Sequence, residues 1–174
     1  MNLFQSLNDD KESISLSGSH KIDVYRSVPP FTLNQKAFDE LWDKHPEQFH
    51  TIVMHGKKIL TPRWQQSYGK NYNYAGSVNN ALPIPDDFQK YLEWARTEVD
   101  KRINGLLLNW YDGSAGHYIG AHRDDTRDLM EESPIITISL GQERVFRMRP
   151  YQGSGFKDVL LQNGDALIMP PCVN

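Results

Sequence analysis

Short apolar runs recur at even spacing after Gly105, turn residues separate them, and two helical periods come before them. Together these predict an α+β fold, a β-sandwich or jelly roll preceded by helices. Strands that follow one another without helices between them cannot form a parallel βαβ sheet, so the doubly wound folds are excluded. The size of 174 residues and the 39% hydrophobic composition suit one domain with a buried core. A formal charge of −3 excludes a broad basic field, so any contact with nucleic acid has to come from a local patch. The single cysteine, Cys172, excludes an internal disulfide framework and a cysteine-based zinc site, and it suits an intracellular location, cytoplasmic or nuclear. The chain opens on no basic-then-apolar leader, and no apolar run approaches about 20 residues. Secretion and a membrane partner are therefore not expected.

Residues 1–20 mix Asn8, Asp9, Asp10, Lys11 and four serines between Ser13 and Ser19 with few large apolar groups. Little there offsets the entropy of ordering, which predicts a flexible N-terminal arm and a single domain over 21–174. The alternation of Ile22 and Val24 predicts a short strand, ended by Pro29-Pro30. Asn34 is a good N-cap for a helix carrying Phe38, Leu41 and Trp42 on one face. Thr51 to Met54 is β-branched and apolar enough for a strand, and Lys57-Lys58 marks a turn after it.

Pro62 to Tyr74 packs Trp64, Tyr68, Tyr72 and Tyr74 among polar and cationic groups, with no clean period. Two readings stand. One is a surface hairpin whose rings cover the core. The other is a stacking platform for a flat ligand such as a nucleobase, with Arg63 and Lys70 near phosphates. Pro83 and Pro85 then break the chain. Asp86 caps a helix in which Phe88, Leu92, Ala95, Val99 and Ile103 recur at helical spacing, and Gly105 stops it. That stripe is core packing. Strand-like runs follow at Leu106 to Tyr111, His117 to Gly120, Pro134 to Leu140, Arg144 to Met148, Phe156 to Leu161 and Asp165 to Pro170. Turn signals at Asp112-Gly113, Gly141-Gln142, Gly153-Ser154-Gly155 and Asn163-Gly164 lie between them.

His122 and Asp124 stand two apart at the end of an extended stretch, so their side chains point to the same side. One nitrogen and one carboxylate oxygen then converge, two of the three ligands of a facial triad for non-haem Fe(II). Spacing alone is a common accident, and the neighbouring residues carry the assignment. Asn109-Trp110-Tyr111, a glycine-containing turn, Ile119-Gly120-Ala121, His122-Arg123-Asp124-Asp125, Ser133 to Gly141 and Phe146-Arg147 occur in series. That series, with Gln65-Gln66-Ser67-Tyr68-Gly69, Tyr72 and Tyr74 upstream, resembles the AlkB family of Fe(II)- and 2-oxoglutarate-dependent dioxygenases from about Lys58 to Pro170.

The resemblance implies a double-stranded β-helix (jelly roll) core with N-terminal helices and an aromatic nucleotide-recognition lid. It implies His122 and Asp124 as catalytic iron ligands, with 2-oxoglutarate and O2 as co-substrates. Asn109 and Tyr111 would bond 2-oxoglutarate. Tyr68, Tyr72 and Tyr74 would line the lid, Asp125 would face the substrate base, and Arg63, Lys70, Arg123 and Arg127 would offer a local phosphate-binding surface. The implied activity is oxidative demethylation of N-alkylated bases in DNA or RNA: an N-alkyl carbon is hydroxylated and leaves as formaldehyde. The family completes its triad with a second histidine and adds an arginine for 2-oxoglutarate. Neither has a matching position here; His20, His45, His50, His55 and His117 lie elsewhere in the pattern. The expectation is a chain lacking the C-terminal strands of the domain and inactive as given. Two alternatives carry the same fold: a catalytically silent binding module, and a dioxygenase acting on a protein or lipid.

Overall fold

The computed structural model describes residues 11–16, 18–74 and 76–173, and of Met54 only the backbone. In chain order the elements are β1 (Lys11–Ser15), β2 (Lys21–Tyr25), α1 (Gln35–Trp42), β3 (Thr51–Met54), β4 (Lys57–Leu60), β5 (Trp64–Tyr68), β6 (Tyr72–Tyr74) and β7 (Ser77–Asn79). After these come α2 (Asp86–Glu98), β8 (Leu106–Trp110), β9 (Ile135–Ile138), β10 (Arg144–Met148), β11 (Lys157–Leu161) and β12 (Ala166–Met169). The elements among the described residues are thus mostly strands, with two α-helices, and no helix is long and apolar enough to cross a membrane. They fall into two compact units, one joining the chain up to Phe38 to residues from Glu132 onward, the other Asp39–Glu131.

In the first unit, β1-β2-β12-β9 form an antiparallel sheet, and β10 pairs with β11. The alternation that predicts β2 buries Ile22 and Val24 completely, against Val159, Leu161, Leu167 and Met169. The expected arm needs correcting over Lys11–Ser15, which is a strand in register with β2; residues 1–10 lie outside the described residues. Its polar side chains do what large apolar ones would otherwise do. Lys11 Nζ pairs with Asp23 at 2.9 Å, Ser13 donates to the same carboxylate, and Ile14 packs on the core cluster.

A buried carboxylate ties β2 to the turn before β12. Asp165, 1% exposed, accepts from Arg26 Nη1 at 2.7 Å and from the backbone N–H groups of Ser27 and Gln162 at 3.0 Å each. Arg26 also donates to Glu12 and to the Leu160 carbonyl. The expected turn at Gly141 has its own reason. Gly141 sits at φ +81°, where a Cβ would run into the Phe38 ring. Its N–H is held by Asn163 Oδ1 at 3.1 Å.

In the second unit, β5 pairs with β8, β3 with β4 and β6 with β7, all antiparallel. The stretch from Pro62 to Tyr74 is therefore two strands with different partners, and Lys57-Lys58 opens a strand instead of a turn. His117 to Gly120 is not a strand. Asp112 N–H donates to His117 Nδ1 at 3.1 Å, and His117 N–H donates back to the Asp112 carbonyl at 3.0 Å, closing a loop that no ladder can use. Asn34 caps α1 as expected, its Oδ1 accepting from Ala37 N–H at 2.9 Å.

Helix α2 buries Phe88, Tyr91, Leu92, Trp94 and Ala95. Its ends differ from expectation: Pro85 is the N-cap without a side-chain bond, and the helix stops at Glu98, well before Gly105. The N–H groups of Val99 and Asp100 both converge on the Ala95 carbonyl, which ends the regular ladder. Burial, and then the charge of Asp87, push the Tyr91 hydroxyl up to about 12. A raised phenol favours the fold while protonated, so its contribution is complete below about pH 10 and fades as pH rises toward 12. Urea unfolding at stepped alkaline pH is expected to show a loss on the order of 2 kcal/mol across that window. Tyr91→Phe should make the loss smaller, the remainder belonging to the other raised phenols, Tyr68 and Tyr72; a loss equal to that of the parent would take Tyr91 out of the titration.

Candidate metal centre

The register of β5 on β8 sets Gln65 opposite Asn109 and Trp64 opposite Trp110. Residues two apart share a face, so Arg63, Gln65 and Ser67 line the side that Asn109 also faces. Arg63 Nε donates to Asn109 Oδ1 at 2.8 Å. Arg63 is only 7% exposed, its guanidinium enclosed beside Asn109. Tyr111 follows β8 directly and is half-buried.

The loop after β8 brings up the candidate pair, His122 and Asp124. Asp112 Oδ1 accepts from Ser114 N–H and Ala115 N–H at 2.8 and 3.2 Å, fixing the glycine-containing turn. His117 is buried edge-on against Trp64, with ring centroids 4.8 Å apart, and its Nδ1 is occupied by Asp112. Further on, His122 Nδ1 lies 2.8 Å from the Gly120 carbonyl, which as acceptor makes Nδ1 the N–H donor and leaves Nε2 to face Asp124. The separation of His122 Nε2 and Asp124 Oδ1 is 3.4 Å, with side chains 29% and 28% exposed.

Two donors bound at right angles to one ion by bonds of about 2.1 Å stand about 3.0 Å apart, so little movement would seat a cation between them. The Nδ1–H to carbonyl bond is the support that metal-binding histidines ordinarily have. The hydrogen bond that His122 donates to Asp124 raises the His122 pKa, against burial and the nearby Arg63 charge. A proton thus favours the place a cation would take. The pair fits a metal, but it is not a whole triad: among the described residues no group of three or more His, Cys, Asp or Glu is placed to hold an ion.

Hairpin β6–β7 stands over this pair. Tyr72 and Tyr74, two apart on one strand, present near-parallel rings at 6.2 Å and 13°. The Tyr72 hydroxyl donates to Asp124 Oδ1 at 3.4 Å, and the Tyr74 ring meets His122 edge-on at 6.2 Å and 79°. Burial, then the Asp124 charge, raises the Tyr72 pKa. Asn73 Nδ2 donates to Asp128, a third tie between this strand and the His122 loop. No spacing in the sequence signals it, because the two residues are far apart in the chain.

Tyr68 does not join these rings. It is 6% exposed and packs perpendicular to Phe88 at 5.1 Å, among the buried aromatic residues of this unit. The Asp125 carboxylate is gripped by Arg127 Nε at 2.9 and 3.1 Å, and the Arg127 hydrogen bonds hold its pKa at about 2. Gln65 escaped the sequence reading. Its Nε2 and Oε1 are buried with no hydrogen-bond partner among the described residues.

Comparison with known proteins bears on this arrangement. The sequence profile of the 2OG-Fe(II) oxygenase superfamily matches residues 31–172. The human protein named DNA oxidative demethylase ALKBH2 is 30% identical over 127 residues, 69% of this chain and 48% of its own length. The protein of the same name from Mus musculus is 28% identical over 134 residues, 71% of this chain and 56% of its own length. That from Bos taurus is 30% identical over 127 residues, 69% and 45%. The chain spans about half the length of the curated relatives it matches.

Proposed function

The chain belongs to the AlkB family of 2OG-Fe(II) oxygenases, and from that premise we propose that it removes alkyl groups oxidatively from N-alkylated bases in DNA or RNA. The cofactor of the family is Fe(II), with 2-oxoglutarate and O2 as co-substrates. One observation carries the proposal: two convergent metal donors lie under an aromatic wall that touches both of them, Tyr72 on Asp124 and Tyr74 on His122. An enzyme acting on a base must take it out of its stack, and aromatic rings beside the reacting centre offset part of that cost.

Bound iron supplies the oxidising power that hydroxylates the N-alkyl carbon, after which formaldehyde and the repaired base part. His122 Nε2 and Asp124 would hold it. Asn109, its Oδ1 engaged by Arg63, offers Nδ2 to a carboxylate of 2-oxoglutarate, and Tyr111 offers its hydroxyl. Tyr72 and Tyr74 cover one side of the pair. A flat base between Tyr74 and His122 needs both rings face-on at about 7 Å, so Tyr74 turns from its edge-on position as the base enters. Asp125, kept ionised by Arg127, accepts from an exocyclic amine on the base. The proposal extends to the architecture: a double-stranded β-helix over residues 21–174 as one dioxygenase domain, hairpin β6–β7 as the nucleotide lid, acting in the cytoplasm or nucleus.

The test supplies Fe(II), 2-oxoglutarate and a single-stranded oligonucleotide bearing one N-methylated base, read by mass spectrometry. Loss of the methyl mass with formaldehyde release, dependent on 2-oxoglutarate, is expected; an oligonucleotide that binds but keeps its methyl group sinks the enzyme reading. The incomplete donor set among the described residues favours a second reading, a binding module of the same fold. Calorimetry separates them, since a module binds the oligonucleotide equally with and without Fe(II) and 2-oxoglutarate.

A further inference from the structure

A second concave site lies in the Asp39–Glu131 unit, bounded by the chain from Pro46 to Thr51, by β5 and by the end of β7, with a volume of about 280 Å3. Five carboxamide residues line it: Gln48, Gln65, Gln66, Asn79 and Asn80. Phe49 and His50 add two rings, and among the described residues lining it there is no Lys, Arg, Asp or Glu. A cleft without charge has nothing to hold a phosphate or a carboxylate. Amide groups beside aromatic rings instead match a flat, neutral ligand with donors and acceptors along its edge, which describes a nucleobase.

The cleft is prepared for such a ligand. Phe49 is fixed against Trp64 at 5.1 Å and against His117 at 5.3 Å, and His50 Nε2 lies 3.3 Å from Ser77 Oγ. Burial and the charge of Arg63 lower the His50 pKa, so the ring is neutral at pH 7. Asn79 is already bonded, accepting from Ser67 N–H at 2.9 Å and donating to the Gln65 carbonyl at 3.3 Å. Gln66 Nε2 donates to the carbonyls of Ser67 and Asn80. Gln65 differs from these. It is 3% exposed, and neither atom of its amide has a partner among the described residues. A buried amide in that condition destabilises the fold, and a bound group that completes it removes the penalty.

Position links this cleft to the metal pair. Asn79 is the cross-strand partner of Tyr72, and Gln65 that of Asn109. The cleft therefore borders the aromatic hairpin on one side and the Asn109 strand on the other. We propose that it takes a second, unmodified nucleobase, the neighbour of the alkylated one in the same strand, stacked on the rings of Phe49 and His50, with the enclosed Gln65 amide turning outward to meet its edge. That this base belongs to the substrate strand rests on the function proposed above; binding of a base does not.

The test measures affinity for short single strands carrying one N-methylated base, with the neighbour on either side intact or replaced by an abasic site. Removing the neighbour on one side is expected to weaken binding about tenfold, the effect of losing one stacked base. Gln65→Leu, which deletes two unpartnered polar atoms from a buried position, should melt no lower than the parent chain. It should bind the intact strand several-fold more weakly and respond less to the abasic site, because the two changes remove one interaction. Asn80→Ala, at the exposed rim, tests the same coupling should Gln65→Leu fail to fold. Abasic neighbours without effect on either side, or a loss in both variants that is independent of the abasic site, would overturn the proposal. Equal affinity for methylated and unmethylated strands with the neighbour effect intact would instead overturn the dealkylation reading and leave the cleft standing.

Discussion

Asp165→Ala is expected to destabilise the protein by about 2–4 kcal/mol, read by urea unfolding. The carboxylate is almost wholly buried and has three donors, the Arg26 guanidinium and the N–H groups of Ser27 and Gln162. Alanine leaves two backbone donors without an acceptor and takes one counter-charge from Arg26, which keeps Glu12 and the Leu160 carbonyl. Asp165→Asn preserves the shape and one acceptor, so a smaller loss of about 1–3 kcal/mol is expected. A loss under 1 kcal/mol in the alanine variant would mean that another contact holds β2 to this turn.

Under the proposed function, Asp124→Ala is expected to lower Fe(II) affinity by more than about 100-fold and to abolish dealkylation while leaving the fold intact. Removing a group that merely supports a ligand costs about 10–100-fold, and removal of the ligand costs more. The side chain is 28% exposed and lies outside the buried core, which is why stability should be spared. Tyr72→Phe is the control. It deletes the hydroxyl that reaches Asp124 but keeps the ring, so metal affinity should change less than tenfold. Titration with Fe(II) under nitrogen, followed by formaldehyde assay in air, reads both. Metal affinity in Asp124→Ala equal to that of the parent chain would remove Asp124 from the ligand set.

The convergence of His122 and Asp124 was legible because a two-residue period is local: wherever the backbone is extended, side chains two apart share a side. The same holds for Ile22 and Val24 in β2 and for the apolar stripe of α2. Tertiary partners decided the rest. Tyr68, Tyr72 and Tyr74 look alike in sequence, yet one packs on Phe88 and the other two meet Asp124 and His122, a division set by which strand each joins. Arg63 reads as a surface cation until Asn109 is placed beside it. His117 to Gly120 has the composition of a strand, but its first residue is bonded back to Asp112. Helix α2 ends at Glu98 because two N–H groups share one carbonyl, and no residue type announces that. The strand β1 was read as an arm because its polar residues find partners only on β2.

The sheet of the first unit sets an order of events during synthesis. Its strand β2 lies between β1, a few residues away, and β12, while the Arg26–Asp165 contact spans 139 positions. At about 5–20 residues per second, roughly 7–28 s pass between the emergence of the guanidinium and that of the carboxylate it binds. A lone two-stranded hairpin is marginal in water. The β1–β2 pair therefore waits on the ribosome with Ile22 and Val24 uncovered, while every residue of the Asp39–Glu131 unit has already been made.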